Sequence, residues 1–181
     1  MKLLRLINIA LLLSLPFSRP VLGQKTYALA VGGGAAIPVG KVSSTQKTGY
    51  HGIIALAIGV AELPIGIRLD GIYNNIPSRF AASGPSSADL RVIGALGNLI
   101  FAFSGTNAKP YVIVGGGLYN TKVDTTGAKS ENSFGVNAGL GATFGVGPFA
   151  IFLESRYHSI TRKVAKGGVL QFVPVTIGLM F

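Results

Sequence analysis

QFVPVTIGLMF, residues Gln171 to Phe181, ends the chain and decides how the rest of it is read. Counting back from the carboxylate, Phe181, Leu179, Ile177, Val175 and Val173 are large and apolar at a strict period of two. A strand therefore places them on one face. The other face carries Met180, Gly178, Thr176, Pro174 and Phe172, a mixed set without charge. Terminal residues fray unless they are tied down. An apolar last strand is what a closed antiparallel barrel needs, because that strand must pair with the first. A buried edge strand of a soluble sandwich would alternate in the same way, so the remainder of the chain has to separate the two.

Composition narrows the choice. Hydrophobic residues make up 49% of the 181 and charged residues 12%, with 26 glycines and neither cysteine nor tryptophan. An ordinary soluble domain carries about 25% charged residues. Yet beyond the N-terminus no apolar run approaches the ~20 residues that a membrane helix needs. An apolar, glycine-rich chain of short alternating runs points to strands that face lipid. The lack of cysteine excludes a disulfide framework, a thiolate zinc site and a lipidated N-terminal cysteine. Residues 1–23 read as a secretory signal peptide, with Lys2 and Arg5 ahead of an apolar Ile7 to Leu15. That run has the ~7–15 residues of a signal core and is too short for a retained anchor. Val21 and Gly23 place cleavage before Gln24, leaving residues 24–181 as one barrel domain.

Along that domain the alternation recurs. Tyr27, Leu29, Val31, Ala35 and Ile37 oppose Ala28, Ala30, Gly32, Gly34 and Ala36. Gly32-Gly33-Gly34 is no phosphate loop, since neither Gly-Lys-Ser/Thr nor a helix follows. Tyr50 to Val60 and Ile65 to Asn74 give the second and third strands, joined by a tight turn at Pro64. A fourth begins at Ala88 and loses its alternation near Asn98, where Leu99, Ile100 and Phe101 run together; a bulge or register change is expected there. Pro110 to Lys122 is a fifth whose facing is undecided. Ser133 to Phe144, Phe149 to His158 and the closing stretch complete eight. Long loops follow strands one, three, five and seven, and short turns follow two, four and six. Outer-membrane barrels show that asymmetry, with short periplasmic turns and both ends inside. Aromatics fall near strand ends, as in interfacial girdles.

Alternation alone does not tell a membrane barrel from a soluble lipocalin-like one. The less apolar face does. A soluble barrel shows water a face of Lys, Glu, Thr and Gln, whereas here that face is mostly Gly and Ala with a few charges. Such a face suits a lumen that ~8 strands leave only wide enough for side chains. The large aliphatics then face lipid. The chain reads as an all-β, eight-stranded antiparallel transmembrane up-and-down β-barrel. It resembles the OmpA/opacity-protein-like family of small, porin-like outer-membrane barrels. The resemblance is carried by YALAVGGGAAIPVG, RLDGIYNN, KPYVIVGGGLY, FLESRYHSI and FVPVTIGLMF, which together span nearly all of residues 27–181. It implies localisation in the bacterial outer membrane. It also implies that Phe181, Leu179, Ile177, Val175 and Val173 are the signal read by the barrel assembly machinery of that membrane. In its strictest form that signal has glycine where this chain has Thr176. With residues 24–181 read as barrel, no peptidoglycan-binding domain of the kind some relatives carry is expected.

Seven charged or titratable residues fall on the phase read as inward: Arg68 and Asp70, Asp89 and Arg91, and Glu154, Arg156 and His158. An unpartnered ion in a narrow lumen costs several kcal/mol, so they are expected to pair into a network that fills the barrel. An ion path or gate is the alternative. His158-Ser159 near Glu154 invites comparison with lipid A deacylases, but adjacent strand residues point to opposite faces, and His51 has no serine-and-acid pattern around it. No enzyme, cofactor or metal site is expected. The formal net charge is +10, and the loops carry Lys41, Lys47, Arg79, Lys129, Arg162, Lys163 and Lys166. Nucleic acid is excluded by the export signal and by the lack of an aromatic-basic groove. Lipopolysaccharide phosphates suit these cations, as does plain solvation. A monomer in outer-membrane lipid is expected, with a structural or surface-interaction role; a narrow channel for ions or small solutes is the alternative.

Overall fold

The computed structural model describes residues 25–60, 63–80, 88–125, 127–161 and 168–181. The expected signal peptide, residues 1–23, lies outside these, as do Arg162, Lys163 and Lys166. Among the described residues the chain forms β1 (Lys25–Pro38), β2 (Gly49–Val60), β3 (Ile65–Ile76), β4 (Leu90–Ala102), β5 (Ala108–Val123), β6 (Glu131–Val146), β7 (Phe149–Thr161) and β8 (Val169–Met180). They close into a barrel in chain order, every neighbouring pair antiparallel. Each strand exceeds the ~9–11 residues that cross a bilayer at a tilt.

Closure falls where the last strand predicts it. Pairing of β8 with β1 runs from Met180 opposite Ala30 to Phe172 opposite Pro38. One residue further, the Phe181 amide donates to the Leu29 carbonyl at 2.8 Å, and the Phe181 carbonyl accepts from the Leu29 amide at 3.1 Å. Both edges of the sheet are thereby consumed. No helix among the described residues is long and apolar enough to cross a membrane, and the strands do the crossing.

The side chains sort by phase. Large aliphatics such as Ile54, Leu69, Leu118, Leu140 and Ile177 stand outward and exposed, while charged and small residues turn inward. Tyr50 stacks with Tyr73 at the long-loop end, and Phe149 meets Phe181 edge-on at the short-turn end. These are the rims where aromatic rings bridge lipid and water. On β5, whose facing the sequence left open, Tyr111, Ile113 and Tyr119 point in and Val112, Val114 and Leu118 point out. Large residues on both faces hide the phase from any hydropathy pattern.

Two expectations for β4 are corrected. No bulge interrupts it: Leu90 to Phe101 pair without a break against Ile76 to Ile65, and Leu90 to Ala102 against Val123 to Tyr111. Leu99 and Phe101 face out and Ile100 falls on the inward phase, so three apolar residues run together without any slip. Nor do Asp89 and Arg91 enter the lumen. Asp89 precedes the strand and accepts a 3.0 Å hydrogen bond from the Ser78 amide. Arg91 lies on the outward phase, 4.0 Å from Asp124 at the rim. At this end the lumen is filled by apolar side chains, with Ile76, Leu90, Val92, Ile160, Leu170 and Phe172 nearly free of solvent. The usual sense of the alternation inverts there, because the outer face has left the hydrocarbon and the inner face is a dry stopper.

Candidate functional site in the barrel lumen

Arg68 and Asp70 stand two residues apart on β3, and Glu154 and Arg156 two apart on β7, so each pair shares one inward face. In so narrow a barrel the two strands' side chains meet across the lumen. Arg68 Nε donates to Asp70 Oδ1 at 2.8 Å, and its terminal nitrogens reach Glu154 at 2.8 Å. Arg156 Nη1 donates to Asp70 Oδ2 at 2.7 Å, and its Nε lies 2.8 Å from Glu154 Oε1. Two guanidinium groups and two carboxylates alternate in a closed, electrically neutral ring. Their side chains retain at most 1% of their exposure. Charges so deeply buried are tolerable only when paired and hydrogen-bonded.

Residues the sequence did not single out complete the ring. Asn98 Nδ2 donates to Asp70 Oδ2 at 3.0 Å, and Tyr111 Oη donates to Glu154 Oε2 at 2.7 Å. Asn98 lies directly opposite Arg68 in the β3–β4 ladder, a signal that cross-strand pairing makes readable once the register is known. Tyr111 reaches Glu154 across Gly141, which pairs with both. A Cβ at Gly141 would collide with the Tyr111 ring, and one at Gly139 would meet the Arg156 Cγ. Glycines of β6 therefore clear the space that the long polar side chains occupy.

His158 sits apart from the ion pairs. Its ring stacks on Phe172 with centroids 4.9 Å apart, and Nδ1 shares a 2.9 Å hydrogen bond with Tyr119 Oη. Ser159 belongs to the opposite phase. His51, from β2, shares a 2.8 Å hydrogen bond with Asn74 Oδ1. No group of three metal-ligating side chains occurs among the described residues.

Of the loop cations, Lys41, Lys47, Arg79 and Lys129 are exposed at the long-loop end. Arg79 is also a tie: its Nε donates to the carbonyls of Ser43 at 2.8 Å and Gln46 at 3.0 Å, lacing the β3–β4 loop to the β1–β2 loop.

A closed up-and-down barrel of eight strands, aliphatic outside and charged within, is the fold of small outer-membrane β-barrels, and this chain has that fold. Comparison with solved structures agrees on the fold. Neisserial surface protein A is similar, with 16% identity, a TM-score of 0.68, and coverage of 87% of this chain and 97% of that one. A major outer membrane protein of Thermus thermophilus is similar too, at 13% identity and a TM-score of 0.55 over 86% of this chain and 99% of that one. No protein-family model matches the sequence, and no curated protein matches it.

Proposed function

We propose that the protein is a non-catalytic outer-membrane barrel with a structural or surface-interaction role, its lumen plugged by its own side chains. The observation that carries this reading is the neutral ring of Arg68, Asp70, Glu154 and Arg156, lying beneath an apolar stopper. An ion crossing the lumen would have to part both. The non-catalytic half of the reading is supported by the separation of His158 and Ser159 onto opposite faces and by the full engagement of Glu154 with two arginines and a tyrosine.

Planar-bilayer recording tests the plug. The protein is expected to give no discrete conductance steps; regular steps would overturn the reading in favour of a narrow channel for ions or small solutes. Mass spectrometry of lipid A with and without the protein is expected to show no change. At the surface, the exposed Lys41, Lys47 and Lys129 suit the phosphates of lipopolysaccharide. Alanine at these three, together with Arg162, Lys163 and Lys166, is expected to weaken lipopolysaccharide binding; unaltered binding would leave those charges merely solvated. A barrel whose edges are both paired offers no strand for self-association, which favours a monomer. Phe181 and the outward stripe of β8 suit recognition by the assembly machinery.

A further inference from the structure

Between the ion ring and the apolar stopper lies a second polar layer, made of His51, Asn137, His158 and the outer nitrogen of Arg156. All four residues are at most 4% exposed. Asn137 and His158 face each other directly in the β6–β7 ladder, and Arg156 Nη1 approaches Asn137 Oδ1 at 3.5 Å. His51 turns into the same lumen from β2, three strands round the barrel from β7. Four buried atoms of this layer make no hydrogen bond to any described residue: His51 Nε2, His158 Nε2, Asn137 Nδ2 and Arg156 Nη2. Every one is a nitrogen, whereas the oxygens of Asp70 and Glu154 are spent on the ring below.

We propose that these four nitrogens form a binding site for one small inorganic anion of halide size, filled when the two imidazoles are protonated. His51 Nδ1 faces an oxygen, Asn74 Oδ1, and so carries a proton already. A second proton therefore enters at Nε2 and turns that atom into a donor. Asn137 Nδ2 and Arg156 Nη2 are donors at any pH. The ring beneath is neutral in sum, so protonating the imidazoles adds uncompensated positive charge to a dry lumen, which is costly unless a counter-ion enters with it. Around the site the groups are Arg68 and Asp70 on β3, Tyr111 and Tyr119 on β5, and Glu154 and Arg156 on β7. The two histidines stand on β2 and β7. The inward faces of β1, β4, β6 and β8 bring no ionisable side chain to this level. Both carboxylates are already held by two arginines, so neither is free to act as the counter-ion.

The test uses the folded full-length barrel labelled with 15N-histidine in lipid nanodiscs. The imidazole resonances are followed from neutral to mildly acidic pH in sodium bromide and in sodium gluconate of equal ionic strength. The proposal expects His51 and His158 to titrate at higher pH in bromide. Each tenfold rise in bromide should raise the midpoints by up to about half a pH unit, because one halide accompanies two protons. Identical titrations in the two salts would overturn it. Asn137→Leu removes one donor while leaving the four ion-ring residues in place, and is expected to shrink the bromide dependence. An undiminished dependence in a folded N137L protein would overturn the assignment of these residues. Should that variant fail to fold, the comparison of salts on the unaltered protein still decides.

Discussion

Glu154 is the side chain on which the lumenal ring turns, because both arginines and the Tyr111 hydroxyl converge on its two oxygens. Replacing it with glutamine preserves the shape and removes the charge, leaving two guanidinium groups to share Asp70. Breaking a buried ion pair from one side costs about 3–5 kcal/mol. Urea unfolding of Glu154→Gln in lipid vesicles is expected to show a loss of that size. A loss within the range of an exposed pair, about 0–1 kcal/mol, would mean that water reaches the ring. Arg68, Asp70, Glu154 and Arg156 were legible in the sequence because charges two apart on a strand share one face. Asn98 and Tyr111 were not, since each becomes meaningful only through a neighbour on another strand.

At the level of the strand, the sense of alternation changes with depth. In mid-bilayer the outward residue is aliphatic, as Leu69 on β3; at the long-loop rim it is polar, as Arg91 on β4. Depth also sets the cost of a misplaced charge. Leu69→Arg is expected to destabilise the barrel by about 2–4 kcal/mol, whereas Arg91→Leu, at the rim, should alter it by about 0–1 kcal/mol. Equal effects of the two substitutions would place the outward band wrongly. The misreading of Asp89 and Arg91 as lumenal came from carrying the mid-bilayer rule to the end of the strand, where the lumen is dry and the outer face is not.

For the molecule as a whole, closure is the property that matters. Eight strands with every edge paired unfold as a unit, and a closed barrel keeps its compact shape in cold detergent. Samples run unheated are therefore expected to migrate differently on a gel from heated ones, and the protein to be recovered with the outer membrane. Recovery from the periplasm without that mobility shift would turn the faces inside out and make the barrel a soluble one.

The class of fold, the number of strands and most of their phases are readable from the amino-acid order alone. Those properties follow from a period of two, from turn residues and from the poverty of charge, all of which are local in the chain. The same order places Arg68, Asp70, Glu154 and Arg156 on inward faces. That these four close into one neutral ring, completed by Asn98 and Tyr111, emerges only once the barrel is closed. Closure likewise turns Arg91 outward and brings His51 of β2 and His158 of β7 into one lumen. Those are contacts between strands as many as 86 residues apart in the chain. They are set by barrel closure and register, which no local pattern encodes.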